Sequence, residues 1–195
     1  TTHIELRARA IENKIKTHSI HASSSLTSMI GECGLHFYKI GRIATIMSEM
    51  KSLTTPYYVI YKNLIEGNHT ILLLEYNQDK KFFLDPKDAL KGLLETEQGQ
   101  VRNVITESNY VIIASRIGFK DQAIVSGKIS SLKETEFGKP PHTIIIPGRL
   151  HFTESDALKL FGKCVDEPFD NSEKTEKISN QMIKKYVPMV REALE

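Results

Sequence analysis

A chain of 195 residues with 40% hydrophobic and 26% charged residues has enough apolar side chains for one domain, or one and a fraction, with a core of its own. Its 26 Lys and Arg against 24 Asp and Glu leave a formal net charge of +2, far from the clustered basic surplus of a nucleic-acid or membrane-surface binder. Cys33 and Cys164 are too far apart for a CxxC redox pair or half a zinc site, and the longest apolar runs, Ile71 to Leu74 and Ile144 to Pro147, fall well short of the roughly 20 residues of a membrane span.

In chain order, Thr2 to Lys16 carries Ile4, Ala8, Ile11 and Ile15 at steps of four, three and four, the spacing of one helix face. A short strand is expected around Ser19 to Ala22, and the hydroxyls of Ser23, Ser24 and Ser25 suit the start of a second helix running to about Gly34. Arg42 to Met47 alternates as a strand does. Pro56 to Ile65 has Tyr57, Ile60, Tyr61 and Leu64 at helical spacing, with Gly67 as its stop. His69 to Tyr76 holds a continuous apolar run typical of a strand covered on both faces. A helix follows from Pro86 to about Glu97. Tyr110 to Ser115 and Gln122 to Ser126 then read as strands too close together for a helical crossover, and hence antiparallel. His142 to Ile146 is another buried-type strand. Thr153 and Asp156 are spaced as a capping box for a helix ending near Gly162. Beyond Val165 an acidic stretch, with Asp170, Glu173 and Glu176, precedes Ile178, Met182, Tyr186 and Val190, an amphipathic pattern interrupted by Pro188. Alternating strands and helices define an α/β fold.

Residue by residue, the chemistry is sparse. Cys33 has no neighbour that would lower its pKa and reads as a small buried residue. The glycine spacings fit neither a Walker loop nor a dinucleotide fingerprint. Of the adjacent Tyr57 and Tyr58, a helix hides only one. His69 and His142 each open a hydrophobic strand, where a ring either serves a pocket or packs. Ser23 to Ser25 at a helix start either cap that helix or meet a ligand carboxylate or ribose. With two distant cysteines and no secretion signal, a cytoplasmic location is expected.

Several stretches together resemble the diphthine synthase family in its archaeal form: Thr1-Thr2-His3 with Glu5-Leu6-Arg7, Ile20-His21-Ala22 before Ser24, Gly34-Leu35-His36 with Tyr38-Lys39 and Gly41, then His69-Thr70 and Leu72-Leu73-Leu74-Glu75. Arg116 and Gly118, Phe137-Gly138 with Pro140-Pro141-His142, and Pro147-Gly148-Arg149-Leu150-His151 continue the same order. The resemblance covers about Thr1 to Gly162. It implies a class III, tetrapyrrole-methylase-like fold of two α/β domains, the first largely missing: residues 1 to about 40 close it, 41 to 164 form the second, and 165 to 195 are a charged tail.

The same resemblance implies an S-adenosylmethionine-dependent methyltransferase that repeatedly methylates the amino group of the modified histidine of translation elongation factor 2, as a homodimer and without a metal. By matching position, cofactor contacts fall at Ser24, Ser25, Leu74, Ile117 and His142. Ser25 stands where the family commonly has Ile, Glu75 where Asp is usual, and Ser115-Arg116-Ile117-Gly118 where Ala-Arg-Ala-Gly is typical. No side-chain base is implied. The rival readings are a tetrapyrrole methylase of the same fold and a non-catalytic fragment that dimerises or binds a protein.

Overall fold

A computed structural model of the chain describes residues 2–18, 20, 23–49 and 53–169. Its elements are α1 (Thr2–Glu12), α2 (Ser25–Glu32), a single 3-10 turn at Phe37–Lys39, β1 (Ala44–Ile46), α3 (Thr54–Ile65), β2 (Thr70–Leu74), the small hairpin β3 (Tyr76–Asn77) and β4 (Phe82–Phe83), and α4 (Pro86–Gln100). There follow β5 (Tyr110–Ser115), β6 (Ala123–Lys128), α5 (Ile129–Leu132), β7 (His142–Ile146), α6 (Phe152–Phe161) and β8 (Lys163–Cys164). Six strands form one mixed sheet in the order β1-β2-β7-β5-β6-β8. The α/β reading holds, and β5 and β6 pair antiparallel as their spacing requires.

Strand periodicity divides the core in two. Leu72, Val111, Ile113, Ile144 and Ile146 point to one face, where they meet Tyr57, Ile60 and Leu64 of α3 and Leu90 and Leu93 of α4. Their neighbours Ile71, Tyr110, Ile112, Ala114 and Ile145 point to the other, against Met29 and Ile30 of α2 and Leu158 of α6. Both faces of the central strands are therefore dry, which is why β2, β5 and β7 read as unbroken apolar runs.

Local chemistry sets the helix ends. Asp85 caps α4, its carboxylate accepting the Lys87 N–H at 2.8 Å, with Pro86 in the first turn. At the other end Val101 and Asn103 take left-handed φ of 50° and 59°. The Glu97 carboxylate holds them there by accepting the N–H groups of Arg102, Asn103, Val104 and Ile105 at 2.6 to 2.9 Å, together with the Tyr57 hydroxyl at 2.9 Å. Burial would raise the Glu97 carboxyl, but these donors outweigh it and hold the group below its ordinary value. Glu97→Ala should therefore lower stability by about 1–3 kcal/mol, since five donors lose their acceptor at once, and a urea melt reads the loss directly.

Three expectations change. The opening helix ends at Glu12, with Lys14 in a left-handed conformation, and its row Ile4, Ile11 and Ile15 is exposed, not packed. The last helix starts earlier than Thr153: His151 is its N-cap, and the box pairs His151 with Glu154, because Glu154 is the buried carboxylate of the turn while the Thr153 hydroxyl lies between two imidazoles. Two-residue strands and the four-residue α5 are too short to show a period. The strand expected at 19–22 and the amphipathic stretch after Asp170 lie outside the described residues. Among the described residues no helix is long and apolar enough to cross a membrane.

Candidate functional site

Because β2 runs parallel to β1 and antiparallel to β7, and β5 runs antiparallel to β7, the carboxyl ends of β1, β2 and β5 share one end of the sheet with the amino end of β7. Leu74, Ile117 and His142 all sit at this end. Ser115 is directly opposite His142, and Leu73 is opposite Thr143, so Leu74 flanks His142 from the other side. The His142 ring lies with Nε2 3.2 Å from the Gly138 carbonyl oxygen. The Ser115 hydroxyl is buried and has no hydrogen-bond partner among the described residues.

Polar contacts shape the rim of this end. Arg116 has φ of 51°; its backbone N–H donates to the Pro141 carbonyl at 3.0 Å, and its Nε donates to the Asp121 carboxylate at 2.8 Å over the Phe119 ring. Glu75 accepts the Ser48 N–H at 2.7 Å and the Ser48 hydroxyl at 2.6 Å, tying the loop after β1 to the end of β2. Those bonds, the hydroxyl first, hold the Glu75 carboxyl below its ordinary value.

Ser24 and Ser25 open α2 instead of lying on the sheet. The Ser24 hydroxyl accepts the Leu26 N–H at 3.2 Å, so it caps its own helix. Leu26 packs against the same core cluster as Leu73 and Ile117, and this cluster is the physical link between the first turn of α2 and the strand ends. The structure thus brings Leu74, Ile117 and His142 together and shows no hydrogen bond from either serine to that trio.

Cys33 is fully buried, and burial, helped by Glu32, pushes its thiol up to about 12, so it is no nucleophile. Tyr57 is buried and Tyr58 is not, as a helix surface dictates. Among the described residues no group of three or more His, Cys, Asp or Glu is placed to hold a metal ion.

The opposite end of the sheet holds a second polar cluster, which sequence reasoning did not assemble. Glu154 is fully buried, and its carboxylate accepts the His36 N–H at 2.8 Å, the Lys39 ammonium at 2.7 Å, the His69 Nε2–H at 2.9 Å and the His151 N–H at 2.8 Å. The Gly148 N–H donates to His69 Nδ1 at 3.1 Å, which fixes the hydrogen of the His69 ring on Nε2. Lys39 also donates to the Arg149 carbonyl. Burial would raise the Glu154 carboxyl, but the His69, His151, Lys39 and His36 donors hold it well below the usual carboxylate range. With four donors on two oxygens it has little capacity left to take a substrate proton, so it positions chain segments. The signal in the sequence was the set Gly34-Leu35-His36, Tyr38-Lys39, His69-Thr70 and Pro147 to His151: the motifs that carry the resemblance converge on one carboxylate.

A layered mixed α/β sheet with this connectivity is the fold of diphthine synthase, since a crystal structure of diphthine synthase matches it with a TM-score of 0.73 and 28% identity, over 84% of this chain and 61% of that one. In sequence the chain is similar to diphthine synthases. It is 38% identical over 161 residues to the diphthine synthase of Methanococcus maripaludis strain C5 and 39% identical over 163 residues to that of Methanocaldococcus jannaschii. Each match covers 82% of this chain and 63% of the relative, so the chain spans less than two thirds of the length of these curated proteins. No protein-family profile matches it.

Proposed function

We propose that this chain is the part of a diphthine synthase that carries the carboxyl-end strands of the cofactor site, and that the protein methylates the amino group of the modified histidine of translation elongation factor 2, repeatedly, in the cytoplasm and as a homodimer. The observation that carries this reading is the 38–39% identity to diphthine synthases over 161 to 163 residues. Residues 41 to 164 are proposed as one methylase domain, with the preceding segment closing another.

The residues at the sheet end fit S-adenosylmethionine. Leu74 and Ile117 offer half-buried apolar surface, His142 offers a ring nitrogen, and the Ser115 hydroxyl is a buried polar group with no partner among the described residues. Ligands of open α/β sheets settle at the carboxyl ends of strands, where backbone groups are not taken up by the ladder. Ser24 and Ser25 would complete the set from the start of α2. The bound cofactor supplies an activated methyl group on a sulfonium, open to in-line displacement by a neutral amine. This chain's residues then have to align and dry the site and need not form a covalent bond. Arg116, held by Asp121 and the Pro140 carbonyl, fixes the turn that presents Ile117.

Calorimetric titration with S-adenosylhomocysteine tests the reading. Saturable one-site binding is expected, and His142→Ala should weaken it at least about tenfold, or roughly 1.4 kcal/mol, with an unchanged melting temperature. A full-length protein that binds no S-adenosylhomocysteine would sink the proposal. The exposed row Ile4, Ile11 and Ile15 on α1 favours a second reading, a non-catalytic protein-binding piece, and the same titration separates the two.

A further inference from the structure

A cavity of about 300 Å³ lies beside the candidate cofactor end, between the loop after β1, the β3–β4 hairpin and the first half of α4. Glu75, the residue after Leu74, fastens two of its walls. The Glu75 carboxylate accepts the Ser48 N–H and hydroxyl at 2.7 and 2.6 Å, and the Glu75 carbonyl accepts the Leu84 N–H at 3.0 Å. Ser48 and Leu84 both line the cavity, so its walls are tied to the chain one residue from a proposed cofactor contact. Leu74, Ile117 and His142 do not line it, and β1, which ends at its wall, lies on the far side of β2 from β7 and His142.

The chemistry of this cavity is mixed in a particular way. Leu53 and Leu84 are buried at its base, whereas Met47 and Phe82 are 41% and 37% exposed at its mouth. Next to Phe82, the exposed rings of Phe83 and Tyr76 stack with centroids 4.5 Å apart, which extends the apolar lip along the hairpin. Exposed apolar side chains gathered around a cavity mark a contact site. On the α4 side stand Asp88, Lys91 and Glu95. Lys91 lies 4.0 Å from Glu95, while Asp88 has no ion pair among the described residues, so the rim keeps one uncompensated negative charge.

We propose that this cavity seats the polypeptide substrate of the methyl transfer: a large apolar side chain near the modified histidine enters between Met47 and Phe82, and a lysine or arginine beside it meets Asp88. A methyl acceptor carried on a protein side chain brings its neighbours with it, and a cavity of this size holds one of them. An apolar anchor in a pocket supplies the affinity, and a complementary charge at the rim fixes the register. The inference rests on the proposed methyl transfer and adds to it the surface that recognises the protein.

The test uses the full-length protein, with S-adenosylhomocysteine titrated by calorimetry and methylation of elongation factor 2 followed at varied substrate concentration. Asp88→Lys should bind S-adenosylhomocysteine as the wild type does and raise KM for elongation factor 2 about tenfold, the loss falling on KM more than on kcat. Asp88→Glu, which keeps the charge, should restore KM to within about twofold of the wild type. A photoreactive benzoylphenylalanine in place of Phe82 should cross-link to the segment of elongation factor 2 that bears the modified histidine. An Asp88→Lys protein with wild-type KM would overturn the proposal, as would cross-links from position 82 only within the chain or only to a second copy of it. A wild-type protein that binds no S-adenosylhomocysteine would sink the methyltransferase reading instead, and the cross-link, which needs no cofactor, would still decide the docking surface.

Discussion

Replacing Glu154 with Gln should cost the fold about 3–5 kcal/mol, the range expected when one partner of a buried ion pair is removed. Lys39, with its side chain only 19% exposed, loses its counter-charge, and three further donors face an amide that can accept at one atom only. Equilibrium urea denaturation of both proteins measures the difference. The pH dependence has a definite sign. The folded protein holds the Glu154 carboxyl well below its unfolded value of about 4.3, so its contribution is full above that pH and is lost as the pH falls toward the folded value. The wild-type stability should therefore drop steeply below about pH 4.3, and the gap to Glu154→Gln should narrow over the same interval. A gap that stays constant down to pH 2.5 would show that the carboxylate charge is not the origin of the effect.

Gly148→Ala should be comparably harmful for a steric reason. A Cβ on Gly148 would lie 2.4 Å from the Asn68 carbonyl oxygen and 2.6 Å from that of Gly67. Both are backbone atoms at the end of α3, where Gly67 has a left-handed φ of 73° and accepts the Arg149 N–H at 3.1 Å. Neither can swing aside as a side chain would. The loop must move, which also pulls the Gly148 N–H from His69, so a loss of about 2–3 kcal/mol is expected. A Gly148→Ala protein that melts with the wild type would mean that the loop has slack the packing does not reveal.

The elements easiest to read in the sequence were those whose environment is the same on both faces. Tyr110 to Ser115 and His142 to Ile146 were delimited to the residue, because strands covered on both sides carry an unbroken apolar run with sharp polar edges. The row of isoleucines on α1 predicted the helix but not its surroundings, since spacing reports a face and not what covers it. Glu154 was visible only as part of an acidic helix start. Its four donors come from positions 36, 39, 69 and 151, and no local pattern brings these together; the ordered motifs of a known family did what periodicity could not. At the candidate cofactor end the strand boundaries put Leu74, Ile117 and His142 at strand ends, but that these ends meet follows from the sheet order, and the serines of α2 depend on how a helix docks; the chain order states neither.

The position of β7 has a consequence for how the molecule is made. It lies between β2 and β5 at the middle of the sheet, yet of the described strands only β8 follows it in the chain. Until it is synthesised, β1–β2 and β5–β6 are two separate ladders, each with an open edge of unpaired backbone groups and an uncovered isoleucine or valine row. Insertion of β7 seals both edges in one event and brings Gly148 and Glu154 to His69. Chains that stop before residue 142 are therefore expected to aggregate more readily than chains that include it, because both ladders keep an open edge.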